Sequence, residues 1–129
     1  MSYRSLKQMV FFILISFGAN ACPPDRITVE KLEEMNHSYK DVKSHIACQK
    51  AKGSVEKIIC SSPSLIVLSD LDAKAQVYGL ENATQSQVSH KNVRDEDWEK
   101  NVLNKCKDES CVCDAYTAHI QQYLPDFNL

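Results

Sequence analysis

The chain has 129 residues, with 15 basic side chains against 17 acidic ones, and six cysteines beside only three glycines. So balanced a charge excludes a strongly basic nucleic-acid or anionic-membrane surface, and a chain of this length suits one domain with a thin core. Cysteines this dense, behind a stretch that reads as an export signal, point to cross-links in an oxidising compartment rather than to metal ligands.

That stretch is residues 1–21: Arg4 and Lys7 form a positive start, Met9 to Gly18 an uncharged apolar run, and Ala19-Asn20-Ala21 a small-x-small cleavage pattern. The apolar run falls short of the roughly 20 residues that span a bilayer, so no transmembrane segment is expected in the mature chain. Removing it takes away two basic residues and no acid, which leaves a net charge of −4. Cys22 would then be the first residue, and a lipid anchor on it is the alternative to free export, periplasmic or secreted. Two features weigh against the anchor: Ala19 stands where such signals favour leucine, and acylation would leave five cysteines and one unpaired thiol.

Residues 22–45 read as an extended arm with Pro23-Pro24, followed by a short helix in which Thr28 is the N-cap and Val29, Leu32 and Met35 share a face. Tyr39 to Lys52 is ambiguous, with Val42 and Ile46 as core contacts. Gly53-Ser54 breaks the pattern, and Ser54 is expected to cap a turn carrying Val55, Ile58 and Ile59. Ser61-Ser62-Pro63-Ser64 is a loop whose proline suits the first turn of the next helix. That helix carries Leu65, Leu68, Leu71, Ala75 and Tyr78, and Gly79 with the polar run from Glu81 to Lys91 predicts a bend, frayed turn or loop. A second long helix is expected to take Val93, Trp98, Val102 and Leu103 towards Cys106. The last helix is the clearest, since Val112, Ala115, Tyr116, His119, Ile120, Tyr123 and Leu124 make one apolar stripe. Residues 125–129 are a tail. The sum is an all-α, disulfide-stapled bundle of about four to five helices.

Catalytic constellations do not emerge. Redox chemistry would want Cys-x-x-Cys at a helix start on a mixed α/β scaffold, and Cys111-Val112-Cys113 does not match. Cys106, Cys111, Cys113 and His119 have the types for zinc, but export and disulfide formation count against it. Asp95, Glu96, Asp97 and Glu99 around Trp98 resemble the paired carboxylates of sugar hydrolysis; a solvated acidic first turn explains them more simply. His119, on the apolar stripe, reads as a packed core residue with a satisfied ring nitrogen. Accordingly no enzyme activity, cofactor or metal is expected.

One string carries a likeness: Cys48-x-x-Ala51-x-x-x-Val55-Glu56-Lys57-x-Ile59-Cys60-x-x-Pro63-x-Leu65-x-x-Leu68, then Tyr78, Trp98, Cys106, Cys111, Tyr116 and Ile120. Residues 46–124 resemble the LprI-type lysozyme-inhibitor domain of bacterial exported proteins. The spacing departs from that pattern after Leu71-Asp72, where Ala75 follows and Tyr78 arrives one residue early; Leu103 and His119 stand where the family has arginines. The resemblance implies bridges Cys48–Cys60 and Cys106–Cys111. Cys22 and Cys113 lie outside its four-cysteine frame and are expected to pair with each other, because the geometry of Cys111 and Cys113 disfavours a bridge between them.

The resemblance implies a protein partner, a lysozyme or another cell-wall hydrolase that the domain inhibits, with an envelope interaction or structural protein of the same fold as the alternative. An inhibitor needs a projecting rigid element, and Ser61, Ser62, Pro63 and Ser64 beside Cys60 form the candidate target-binding loop, with the helix face of Lys91, Arg94 and Lys100 as the other choice.

Overall fold

A computed structural model describes Cys22, residues 26–88 and residues 93–127, with the backbone alone for residues 26–28. The expected signal segment, the Pro23-Pro24 pair and Lys91 lie outside the described residues. Five α-helices follow one another: α1 (Arg26–Tyr39), α2 (Ser54–Cys60), α3 (Pro63–Thr84), α4 (Glu96–Asn101) and α5 (Glu109–Tyr123). Short 3-10 turns occupy Cys48–Lys50 and Leu103–Lys105, and no strand forms among the described residues.

Helix α3 is the axle of the bundle. Its start is fixed locally: Ser62 has extended backbone and accepts a hydrogen bond from the Leu65 amide, and Pro63 at the first helical position gives up an amide that would go unpaired there. Leu65, Leu68, Leu71, Ala75 and Val77 are buried, as are Ser69, Asp72, Lys74 and Gln76 between them. A helix buried on nearly every side must be wrapped by its neighbours. Those are α5, α1 and α2.

Helix α3 runs unbroken through Gly79 to Thr84, and the loop expected in the polar run begins only at Gln85. Gly79 serves packing instead: a Cβ there would stand 2.3 Å from Tyr123 Cδ1, so its absence lets α5 approach. Tyr78, read as a core position, is 38% exposed. The helix ends at Gln85, which takes left-handed backbone at φ 56° and returns its amide to the Glu81 carbonyl.

Elsewhere the element boundaries move. Helix α1 begins at Arg26, so Thr28 lies inside it rather than at its cap, and Met35 is its buried contact while Val29 faces outward. In α2 the cap is Gly53, with Ser54 as the first helical residue. The segment after α1 is held to α3 by polar contacts: Lys74 Nζ donates to the Val42 carbonyl, and the Ser44 amide donates to Asp70 Oδ1 at 2.9 Å.

The second long helix is absent. Asp95 accepts a hydrogen bond from the Trp98 amide and starts α4 there, leaving Val93 outside; the helix lasts six residues before the 3-10 turn. Trp98 and Leu103 lie five residues apart, about 140° off a common face in a continuous helix. Breaking the helix at Val102 lets both pack on the core, and leaves Val102 45% exposed.

Helix α5 is capped by Asp108, which accepts from the Cys111 amide at 2.8 Å. Val112, Ala115, Tyr116, His119 and Ile120 are buried as their spacing predicts. The tail is the largest correction: Phe127 is fully buried, its amide donating to the Leu124 carbonyl and its own carbonyl accepting from Gln121 Nε2. An aromatic ring four residues past the helix end thus completes the core.

Three disulfides staple this arrangement: Cys22–Cys113, Cys48–Cys60 and Cys106–Cys111. The first ties the segment before α1 to α5 and uses the sulfur that a lipid thioether would need. The lipid-anchor alternative at Cys22 is therefore incompatible with this structure. Three bridges belong to an oxidising compartment, outside the reducing cytoplasm. Among the described residues no helix is long and apolar enough to cross a membrane.

Candidate functional site

Polar side chains converge where α3, α5 and the start of α4 meet. His119, wholly buried on α5, has Nδ1 2.6 Å from Asp72 Oδ1 of α3 and Nε2 3.2 Å from Asp95 Oδ2. The indole of Trp98 stacks on the imidazole with ring centroids 3.8 Å apart and 7° between planes, and Tyr123 meets it edge-on at 5.3 Å. Gln76, one turn beyond Asp72, donates to Asp72 Oδ2 at 2.8 Å. Burial pulls the His119 pKa down, but hydrogen bonds to Asp72 and then Asp95, with their charges, raise it overall. Only imidazolium donates through both nitrogens, so two carboxylates on opposite sides of the ring favour the charged form.

A second cluster lies beside it. Glu99 of α4 accepts a bidentate pair from Arg94, Nε and Nη2 each at 2.8 Å, and lies 3.2 Å from His45 Nε2. Burial pushes the Glu99 carboxyl up, but His45 and Arg94 outweigh it and hold the pKa at about 2. The acidic first turn expected around Trp98 is thus solvated only at Glu96 and Asp97; Asp95 caps the helix and contacts His119, and Glu99 is committed to Arg94 and His45.

These two clusters flank a cavity of about 910 Å³ between α3, α4 and the segment after α1. Asp72, Gln76, Trp98, Glu99, Leu103 and Tyr116 form much of its wall, with Asp41 and Lys43 at the rim. Tyr116 is 3% exposed, and its ring lies 5.5 Å from that of Trp98. Its hydroxyl has no hydrogen-bond partner among the described residues, yet no side-chain polar atom there is both sealed and unpaired; the hydroxyl therefore reaches the cavity. Burial raises its pKa far above the ordinary phenol value. The amide oxygen of Gln76 is free by the same reasoning.

The candidate target-binding loop takes a different form from the one expected. Ser61 and Ser62 alone connect α2 to α3, and Pro63 and Ser64 are already helical. Ser62 is buried as the cap, and the Ser61 hydroxyl donates to the Ile58 carbonyl. What projects is a tight corner with Ser61 and Pro63 exposed next to the Cys48–Cys60 bridge. On the other proposed face, Arg94 is paired with Glu99, and Lys100 is exposed. Cys106, Cys111 and Cys113, the zinc alternative, are all consumed in bridges, and no metal-holding group of His, Cys, Asp and Glu occurs among the described residues.

No protein-family model, curated protein or solved structure matches this chain. The likeness to the LprI-type domain consequently rests on its quoted residues, of which the apolar ones share one place while Cys48, Lys57, Pro63, Tyr78 and Cys111 lie at the surface. Val55, Ile59, Leu65, Leu68, Cys106, Tyr116 and Ile120 belong to a single buried cluster, with Trp98 packed against it. The Asp72–His119–Asp95 arrangement was not foreseen as a unit, because its members are 47 and 24 residues apart in sequence. Its only local signals were a carboxylate and a histidine set among apolar core positions.

Proposed function

We propose that this protein is an exported binding module that occupies and inhibits a lysozyme or a related cell-wall hydrolase. The observation that carries the reading is that the implied pairs Cys48–Cys60 and Cys106–Cys111 are both bridged, while the apolar motif residues from Val55 to Ile120 share one core. A mature net charge of −4 suits a basic hydrolase by long-range attraction. The α2–α3 corner supplies the rigid contact. Held by the Cys48–Cys60 bridge on one side and the capped start of α3 on the other, Ser61 and Pro63 would lose little freedom on docking.

Calorimetric titration of the disulfide-bonded protein into lysozymes of several types tests this. A 1:1 complex is expected, weakened by about tenfold or more, roughly 1.4 kcal/mol, in Pro63→Glu, where the helix start tolerates an acid but the hydrolase's catalytic carboxylates would not. Unchanged affinity would remove the corner from the contact surface. Absence of a complex with every lysozyme would remove the reading and favour an envelope protein with another partner.

A further inference from the structure

The cavity beside Trp98 has a chemical character of its own. The charges of its inner wall are spent internally, Asp72 on His119 and Gln76, Glu99 on Arg94 and His45, and the two exposed charges at its rim, Asp41 and Lys43, are of opposite sign. An anionic ligand would lie against the two carboxylates, and a cationic one would have to compete with partners already at hydrogen-bond distance. A purely apolar ligand would strand the groups that remain unpaired, the Tyr116 hydroxyl and the Gln76 amide oxygen, each on a side chain at least nine-tenths buried. One group donates or accepts, the other accepts, and an aromatic ring stands in the same wall. Hydroxyl-rich rings with one apolar face satisfy all three.

We propose that this cavity is a binding site for a neutral saccharide, of the size of a hexose or N-acetylhexosamine mono- or disaccharide. Its volume of about 910 Å³ lies within the range of small-molecule sites. Tyr116 and Gln76 orient the sugar hydroxyls, and Trp98 with Leu103 covers its carbon face. The site is separate from the α2–α3 corner, and its occupancy does not depend on any hydrolase.

Trp98 is the only tryptophan in the chain, so its fluorescence reports on this cavity alone. The disulfide-bonded protein is titrated with N-acetylglucosamine and its β-1,4 disaccharide, and with glucosamine and glucuronate as cationic and anionic counterparts of similar size, each followed by fluorescence and by calorimetry. Saturable binding of the neutral sugars is expected, with the charged ones at least about tenfold weaker. Tyr116→Phe, which keeps the ring and removes the hydroxyl, is expected to weaken binding by about tenfold, the equivalent of one lost hydrogen bond. Ala73→Leu fills the cavity from a half-buried position on α3 and is expected to abolish binding while helicity stays unchanged. No heat or fluorescence change with the neutral sugars, equal binding of the charged ones, or wild-type affinity in folded Ala73→Leu would overturn the proposal.

Discussion

His119 is held at both ring nitrogens inside the bundle, and this makes it a pH-dependent fastener between α3, α5 and the α4 start. With its folded pKa raised above the ordinary 6.5, its contribution is complete below about pH 6.5 and disappears as pH climbs through the raised value. Glu99 acts with the opposite sign. Lowered from 4.5 to about 2, its contribution is complete above about pH 4.5 and disappears as pH falls towards 2. Urea unfolding across pH should therefore show an alkaline decline above about pH 6.5 that is absent in His119→Phe, while the buried Asp72, whose carboxyl desolvation pushes up, opposes the acid decline from Glu99. His119→Ala should cost about 3–5 kcal/mol, since it leaves the buried Asp72 carboxylate with the Gln76 amide in place of a cation; a loss under 1 kcal/mol would mean that the network carries little of the fold. At this scale the sequence was partly readable. A histidine on an apolar stripe announces a satisfied core residue, but which carboxylates satisfy it depends on how α3 and α4 are brought to α5.

Two positions on α3 show how an element's interior and its end obey different rules. Gly79 sits in a helix, where alanine ordinarily gains about 1 kcal/mol. Here the added Cβ would meet Tyr123 at Cδ1, Cγ and Cβ, at 2.3, 3.0 and 3.2 Å, atoms near the base of a side chain that cannot swing aside without moving α5. The clash should win, and Gly79→Ala should lower stability by about 1–3 kcal/mol in thermal unfolding. Gln85 is the reverse case, a non-glycine residue at φ 56° ending the helix. Gln85→Gly should raise stability by about 0.5–1 kcal/mol, because glycine adopts that backbone without Cβ strain. Helices α3 and α5 were legible from their periodic apolar residues and, for α3, from Pro63 in its first turn, whereas the caps Ser62 and Asp108 were not named from sequence. What misled was local: Gly79 signals a break by propensity and a close approach by packing, and Val93 to Leu103 has helical spacing that Asp95 and the core positions of Trp98 and Leu103 cut short.

For the whole molecule, the bridges set how far a thin core can be trusted. Cys22–Cys113 spans 91 positions, Cys48–Cys60 spans 12 and Cys106–Cys111 spans 5. On loop entropy they are worth about 4.6, 3 and 2 kcal/mol in that order. Paired Cys→Ser variants followed by urea unfolding should reproduce the ranking; a largest loss at Cys106–Cys111 would place the stabilisation in the folded state instead. The all-helical, stapled architecture was legible because cysteine spacing and helical periodicity are properties of the chain itself. The burial of Phe127 and the cavity beside Trp98 were not, since both arise from what distant segments leave between them. The most direct test of the proposed role is clearance of a bacterial cell-wall suspension by lysozymes of several types, with the disulfide-bonded protein and with a reduced control. Inhibition that saturates at one equivalent and disappears on reduction is the expected result. Undiminished clearance by every lysozyme in the presence of excess folded protein would contradict it.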